Sequence, residues 1–242
     1  MQTIVILWGI VEHVGGAKNV SGLWRIVMRE YFQSDGRYLK FNIELPYKEM
    51  CAEAFKLIDR FSPHRGDEYS HKGWESITIH GLGWDKHENY DAYGFKKGKD
   101  ASPHMFWTEI ADLCPITTKW LKETFPCKRY GRVRFMLLRA GGFIAPHSDS
   151  SMKLIENINV ALNNPVGCKW IWGDGEELIM EPGGVYAMNL HYTHSLINNS
   201  NEDRMHMIIA RHDATDGWKH LIEEAALNQG ITGEYITIDE LP

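Results

Sequence analysis

The sequence is short of the marks of several common classes. Its four cysteines, Cys51, Cys114, Cys127 and Cys168, contain no C-x-x-C pair. That removes the usual basis for a zinc ribbon or a thioredoxin-type redox site. They read as reduced thiols in a reducing compartment. No long hydrophobic run is present. The apolar opening stretch, residues 1–11, lacks a basic flank and is too short to span a bilayer. Positive charge is in deficit: 26 Lys and Arg against 32 Asp and Glu leave a net charge of −6. Bulk nucleic-acid binding therefore has no electrostatic basis. No repeat, low-complexity segment or clear linker appears. The expectation is a cytoplasmic protein with no nucleic-acid partner and no membrane segment.

What is present is an ordinary globular composition, 43% hydrophobic and 24% charged, with nine Trp and ten Tyr for aromatic packing. A chain of 242 residues suffices for one large domain or one domain with a helical annex. Residues 1–12 read as a strand, and Ser21 as the cap of a helix reaching Phe32. Residues 38–45 alternate as a strand, and Pro46 opens a helix to about Phe61. Residues 74–80 are a strand. Residues 81–100 form a long loop, either a lid or disordered. Residues 107–113 and 117–124 are two short helices divided by Pro115.

The pattern then changes. Short strands are expected at 132–139, 155–162, 168–172, 177–180, 185–190 and 205–210, and an amphipathic helix at 216–228 with Gly230 beyond it. Strands at this spacing indicate a sandwich or barrel. The fold class is mainly β with flanking helices, in a single domain over 1–242. The barrel core covers about 130–212, supported by strands and helices of 1–129 and by the 216–228 helix.

The chemistry gathers in residues 141–204. Gly141-Gly142-Phe-Ile-Ala-Pro-His147-Ser-Asp149 is followed after 47 residues by His194, and after ten more by Arg204. Residues i and i+2 of an extended segment point the same way, so His147 and Asp149 can offer an imidazole and a carboxylate to one point. A second imidazole from His194 would complete two His and one carboxylate on one face of an octahedral ion. Such a set leaves open positions, as in non-haem Fe(II) oxygenases, although the motif alone does not exclude zinc. With 12 His in the chain, a His-x-Asp pair also arises by chance. Arg204 follows the turn-forming run 198–203. If His194 ends one strand and Arg204 begins the next, the two share a hairpin, and Arg204 can grip a carboxylate from inside the barrel. Its other reading is a loop salt bridge to Glu202 or Asp203.

Residues 131–212 resemble the aspartyl/asparaginyl β-hydroxylase family, which includes bacterial proline hydroxylases. The features that carry the resemblance are residues 134–149, the strand 158–162, Pro182-Gly183-Gly184, and His194 with Asn198 and Arg204. Residues 74–81 and Cys114-Pro-Ile-Thr117 look like further landmarks. The resemblance implies a double-stranded β-helix (jelly roll) and an Fe(II)- and 2-oxoglutarate-dependent dioxygenase. Such an enzyme uses O2 to hydroxylate an amino acid of the Asp, Asn or Pro type, free or in a peptide, releasing succinate and CO2. It implies His147, Asp149 and His194 as iron ligands and Arg204 as anchor of the distal carboxylate of 2-oxoglutarate. In some relatives basic residues on the strand after the His-x-Asp loop help hold the cosubstrate, whereas here that strand reads Glu156 to Leu162.

Parity divides that strand. Ile158, Val160 and Leu162 form an apolar face; Asn157, Asn159 and Ala161 form the other. Two amides facing a barrel interior need partners, and a bound carboxylate would supply them, as would water or other side chains. Arg134 shares a side with Met136 and is expected to face the pocket and an anionic group. His206 shares the face of Arg204. Trp170 and Trp172 are core residues or pocket walls. The alternative to the oxygenase is a non-catalytic or cupin-like jelly-roll protein that binds another metal or a small molecule. Either way the partner is a small molecule or a peptide, and oligomeric state is not written in the sequence.

Overall fold

A computed structural model describes residues 29–66, 70–85, 90–95, 104–212 and 215–238. The strand expected at 1–12 lies outside these residues, as does most of the helix expected from Ser21. The described end of that helix is extended instead. It forms β1 (Arg29–Ser34), whose alternate residues can pair into a sheet edge. Then come β2 (Tyr38–Phe41) and α1 (Tyr47–Phe55). A 3-10 turn at Ile58–Arg60 closes the stretch expected as one helix to Phe61. The short β3 (Ser62–Pro63) precedes β4 (His71–Gly81), which is longer at both ends than its alternating centre suggested. Within the expected loop 81–100, Tyr90–Tyr93 is a 3-10 turn. After β5 (Phe106–Trp107), the helices α2 (Glu109–Leu113) and α3 (Pro115–Glu123) meet at Pro115, the first residue of α3. Pro115 begins α3 rather than merely separating two helices, since its ring presets the helical φ. Glu53 of α1 caps the same helix: its carboxylate accepts from Ile116 N at 2.8 Å and from Thr117 N at 2.9 Å.

The β region follows as β6 (Tyr130–His147), β7 (Leu154–Ala161), β8 (Cys168–Trp172), β9 (Glu177–Leu178) and β10 (Val185–Asn189). It ends with β11 (His194–Asn198) and β12 (Arg204–Arg211). Then α4 (Asp216–Gln229), capped by the Thr215 hydroxyl and closed by Gly230 at φ +64°, leads to β13 (Gly233–Ile238). β13 pairs with β1. No strand is expected there from the sequence; pairing with β1 supplies the partner that so short a run needs.

Two antiparallel layers can be traced. One runs β4–β6–β12–β7–β10–β2; the other runs β6–β11–β8–β9. β6 belongs to both. Its first limb pairs with β12, Arg204 opposite Leu138 and Ile208 opposite Arg134. Its second limb pairs with β11, His194 opposite His147 and Leu196 opposite Ile144. This is the double-stranded β-helix. The hairpin expected to join His194 and Arg204 does not form. A turn in which Tyr192 N donates to Asn189 O ends the preceding strand, so His194 begins β11 rather than ending a strand. β11 and β12 each pair with a different limb of β6.

The bend between the limbs lies at Gly141-Gly142. Gly141 has φ +67°, and a Cβ on Gly142 would meet Lys72 O at 2.6 Å and Arg139 O at 2.8 Å. Gly is what lets one strand turn from sheet to sheet here. Parity then sorts the first limb. Val133, Phe135 and Leu137, with Met205, Met207 and Ile209 of β12, are buried in one core with Ile110, Trp120, Leu121 and Trp218 of the helices. Each such side chain contributes roughly 1.5–3 kcal/mol of burial. Arg132, Arg134, Met136 and Leu138 point the other way, into a cavity between the layers. The four cysteines are free thiols, and no described helix is long and apolar enough to cross a membrane.

Asn198 fastens the bend. Fully buried, its amide donates to Leu138 O, Arg139 O and Glu202 O, at 3.0, 3.1 and 2.8 Å. Asn198→Ala is expected to lower unfolding free energy by roughly 1–3 kcal/mol or more, since it orphans buried carbonyls. Urea denaturation checks this; an unchanged midpoint would remove Asn198 from this role.

Candidate metal and anion site

The cavity between the layers has a volume of about 410 Å³. His147, Asp149 and His194 come together at it, each offering one ligand atom, all within 4.8 Å of one another. Asp149 Oδ2 lies 3.8 Å from His147 Nε2 and 3.9 Å from His194 Nε2. Backbone supports the set. Asp149 N donates to Leu190 O at 3.0 Å, holding the turn after β6 against the end of β10.

Both imidazoles are aimed by their other nitrogen. His147 Nδ1–H donates to Ala145 O at 2.8 Å and His194 Nδ1–H to Tyr192 O at 2.9 Å. The carbonyls can only accept, so the protons sit on Nδ1 and both Nε2 lone pairs face Asp149. This is the orientation that metal-binding histidines need. Trp170 stacks on His194 with ring centroids 4.6 Å apart and 12° between planes. It is both buried core and cavity wall, while Trp172 packs edge-on beside it. His194, only 2% exposed, has its pKa pushed down to about 4, chiefly by burial. It is neutral at pH 7, the form that ligates.

Arg204 is buried as well, 7% exposed. Its Nε donates to Asn164 Oδ1 at 3.3 Å, and one Nη donates to His206 Nδ1 at 2.9 Å and to Met180 Sδ at 3.8 Å. The loop salt bridge to Glu202 or Asp203 is not made. Asp203 instead pairs with Arg139 at 3.0 Å, and Arg139 also holds Glu75 at 2.8 Å. Among the described residues no carboxylate neutralises Arg204. Burial drives its pKa down to about 10, which still leaves it a cation at pH 7. His206, 1% exposed, accepts from Arg204, and burial with the Arg204 charge beside it holds its pKa well below the usual value, so it is neutral.

Asn157, Asn159 and Arg134 also line the cavity, Asn159 buried and the other two half-buried. Arg134 Nη1 lies 3.5 Å from His64 Nε2. Arg132, His64 and His212 share the wall and were not among the residues singled out from the sequence. Arg132 could have been found, two residues before Arg134 on one face of one strand. His64 sits in a stretch that reads as a plain polar loop and gives no signal.

The donor set fits a divalent metal of N/O preference with open positions, and the buried cation fits an anion. A family model described as aspartyl/asparaginyl beta-hydroxylase matches residues 45–212. Among solved structures, a Pseudomonas putida prolyl-4-hydroxylase is 12% identical, over 75% of this chain and 95% of that one, with TM-score 0.40. A viral collagen prolyl hydroxylase from Paramecium Bursaria Chlorella virus-1, in a 2OG complex, is 12% identical over 74% and 98%, with TM-score 0.40. A Trichoplax adhaerens prolyl hydroxylase with a hypoxia inducible factor peptide fragment is 10% identical over 80% and 87%, with TM-score 0.43. A comparison with curated proteins finds no match.

His194 must gain a proton on unfolding whenever the pH lies between about 4 and its ordinary 6.5. The unfolded chain then binds more protons, so stability of the metal-free protein should fall as pH drops from 6.5 towards 4. The contribution of this group is up to about 1.4 kcal/mol per pH unit. Urea midpoints across that range should show a shallower slope in His194→Gln; an identical slope would contradict it.

Proposed function

Since the chain belongs to the aspartyl/asparaginyl β-hydroxylase family, we propose that it is an Fe(II)- and 2-oxoglutarate-dependent dioxygenase that hydroxylates an amino acid, free or in a peptide. The observation that carries the reading is the pairing of two needs in one cavity. Three convergent side chains able to hold a metal share the cavity with a buried guanidinium that no carboxylate of the described residues neutralises. A dicarboxylate that chelates a metal through one end and neutralises an arginine through the other answers both.

In this reading His147, Asp149 and His194 hold Fe(II). The carbonyls of Ala145 and Tyr192 keep both Nε2 atoms on the metal side. Arg204 takes the distal carboxylate of 2-oxoglutarate, with His206 fixing one arm of its fork and Asn164 the other. Asn159, facing the same space from β7, offers an amide N–H to the cosubstrate, and Asn157 stands two residues nearer the start of that strand. Iron and 2-oxoglutarate, when bound with O2, supply oxidation of a substrate C–H to C–OH with release of succinate and CO2. The protein supplies orientation and exclusion of water. Trp170, Leu196, Ile144 and Leu138 form the apolar wall that keeps water from the inner end.

Anaerobic addition of Fe(II) and then 2-oxoglutarate to the metal-free protein tests this. A weak visible charge-transfer band is expected. It should be absent in His194→Ala, which loses stoichiometric iron. In Arg204→Gln iron is retained, and the 2-oxoglutarate needed for half-maximal band rises roughly 10- to 100-fold, as loss of a charge-assisted pair implies. Iron binding with no band in the wild type would sink the oxygenase reading and leave a metal-binding jelly roll.

A further inference from the structure

His206 carries a buried N–H for which the described residues offer no acceptor. The residue is 1% exposed and borders the cavity from β12. Its Nδ1 stands 2.9 Å from one Nη of Arg204. A guanidinium has donors and no acceptor, so Nδ1 is the accepting nitrogen. The ring is therefore neutral with its proton on Nε2, the opposite tautomer to His147 and His194. That Nε2–H has no hydrogen-bond partner among the described residues and is closed to water.

The neighbours explain why. On the cavity face of the sheet His206 lies between Met136 of β6 and Ala161 of β7, with Arg204 and Ile208 on either side of it along β12. Two of these side chains are hydrocarbon, one is a thioether and one is a cation, so none is a good acceptor. Asn159, opposite Ile208, is a diagonal neighbour, and no hydrogen bond joins it to Nε2. A buried N–H without an acceptor lowers the stability of the fold, and an apolar side chain at 206 would not. Arg204 has a matching surplus. Its Nε serves Asn164 and one Nη serves His206 and Met180, while the other Nη has no acceptor among the described residues. Two donors without partners thus sit on the two members of one hydrogen-bonded pair, in the same part of the cavity.

We propose that His206 is a second cosubstrate-binding residue, its Nε2–H donating to one oxygen of the distal carboxylate of 2-oxoglutarate while Arg204 holds the other. The proposal rests on the oxygenase reading and adds a residue to it. A slight turn of the ring brings Nε2 to the cavity that His206 already borders. The imidazole then serves through both nitrogens: Nδ1 fixes one arm of Arg204, and Nε2 meets the ligand. A carboxylate can accept at both oxygens and satisfies both donors at once, whereas a ligand that ends in a methyl group satisfies neither.

One substitution separates the two nitrogens. The amide oxygen of an asparagine falls near the place of Nδ1 and accepts from Arg204, but nothing in that side chain reaches as far as Nε2. His206→Asn therefore keeps the brace and loses the donor. The measurement is anaerobic titration of the Fe(II)-loaded full chain with 2-oxoglutarate and with 2-oxopentanoate, which keeps the chelating end and lacks the distal carboxylate. In His206→Asn iron binding and 2-oxopentanoate binding are expected to be unchanged, and the preference for 2-oxoglutarate to fall roughly tenfold. An unchanged preference, or equal losses for both acids, overturns the proposal, because general damage to the cavity weakens both alike.

Should His206→Asn not fold, proton NMR of the wild type with isotope-labelled histidine decides, with Zn(II) as a diamagnetic stand-in for iron. The Nε2–H of His206 is recognised by its proximity to the methyl groups of Met136 and Ala161. It should move downfield on addition of 2-oxoglutarate and not on addition of 2-oxopentanoate; no movement, or the same movement with both, overturns the proposal. If 2-oxoglutarate gives no charge-transfer band with the Fe(II)-loaded wild type, the oxygenase reading fails and this proposal falls with it. If the band is present and the dependence on His206 is not, only this proposal fails.

Discussion

One strand that must satisfy two sheets is the constraint on which the site depends. The backbone of β6 hydrogen-bonds to β12 before the bend and to β11 after it. Those two ladders set which residues face each other across the cavity. A slip of one residue in either would turn its whole set of side chains to the opposite face. The bend is therefore fastened several times over. Gly142 packs where no side chain fits, and Asn198 gathers three carbonyls around it. Arg139 ties Glu75 of β4 to Asp203 just before β12, which raises the arginine's pKa, chiefly through Glu75. Asp203 accepts from Ala140 N at 2.8 Å as well. These contacts touch neither the His147, Asp149 and His194 cluster nor Arg204, yet they decide that His147 meets His194 and that Arg204 meets Leu138.

The same ladder explains why so much of the chemistry was legible. His147, Asp149 and Arg204 could be singled out because their spacing is local to strands and turns, and strand parity needs no tertiary knowledge. Parity also placed Asn157, Asn159, Arg134 and His206 on the cavity side, where the structure has them. What failed was pairing. The stretch from His194 to Asn198 has only five residues and no strong alternation, so it read as the end of a strand followed by a hairpin. The true partner of both β11 and β12 lies 47 to 81 residues upstream, from His147 opposite His194 to Tyr130 opposite Arg211, and no local pattern announces a strand that bends between sheets. The strand at Gly233–Ile238 was missed for a related reason. Its stability comes from β1, a stretch whose sequence looked helical. His64 and His212 reach the cavity from loop and strand end, where parity gives no guidance.

Electrostatics gives the cavity its direction. Burial leaves His194 and His206 neutral, while Arg204 stays charged in spite of it. Imidazole loses its proton readily when desolvated, so each of the two buried histidines keeps one nitrogen lone pair free to accept. Guanidinium starts from 12.5, and a fall to about 10 still leaves it protonated at pH 7. One physical effect, removal of water, thus discharges two imidazoles and leaves one guanidinium charged.

That leaves a cation inside the protein with hydrogen bonds to an amide, a thioether and an imidazole, and with no opposing charge from the described residues. Desolvation of an ion is costly unless it is paired, so the unliganded protein carries a penalty that an apolar residue at this position would avoid. Mutual neutralisation by a bound carboxylate recovers part of that penalty, and what is recovered appears as ligand affinity. Stability and binding are therefore linked through a single side chain. A ligand that binds only the folded state stabilises it by RT ln(1 + [L]/Kd), so an anion bound at Arg204 would raise the stability of the fold. Selection for a tighter empty fold would favour an apolar residue at 204, whereas a buried guanidinium between Asn164 and His206 is what a site built around an anion retains.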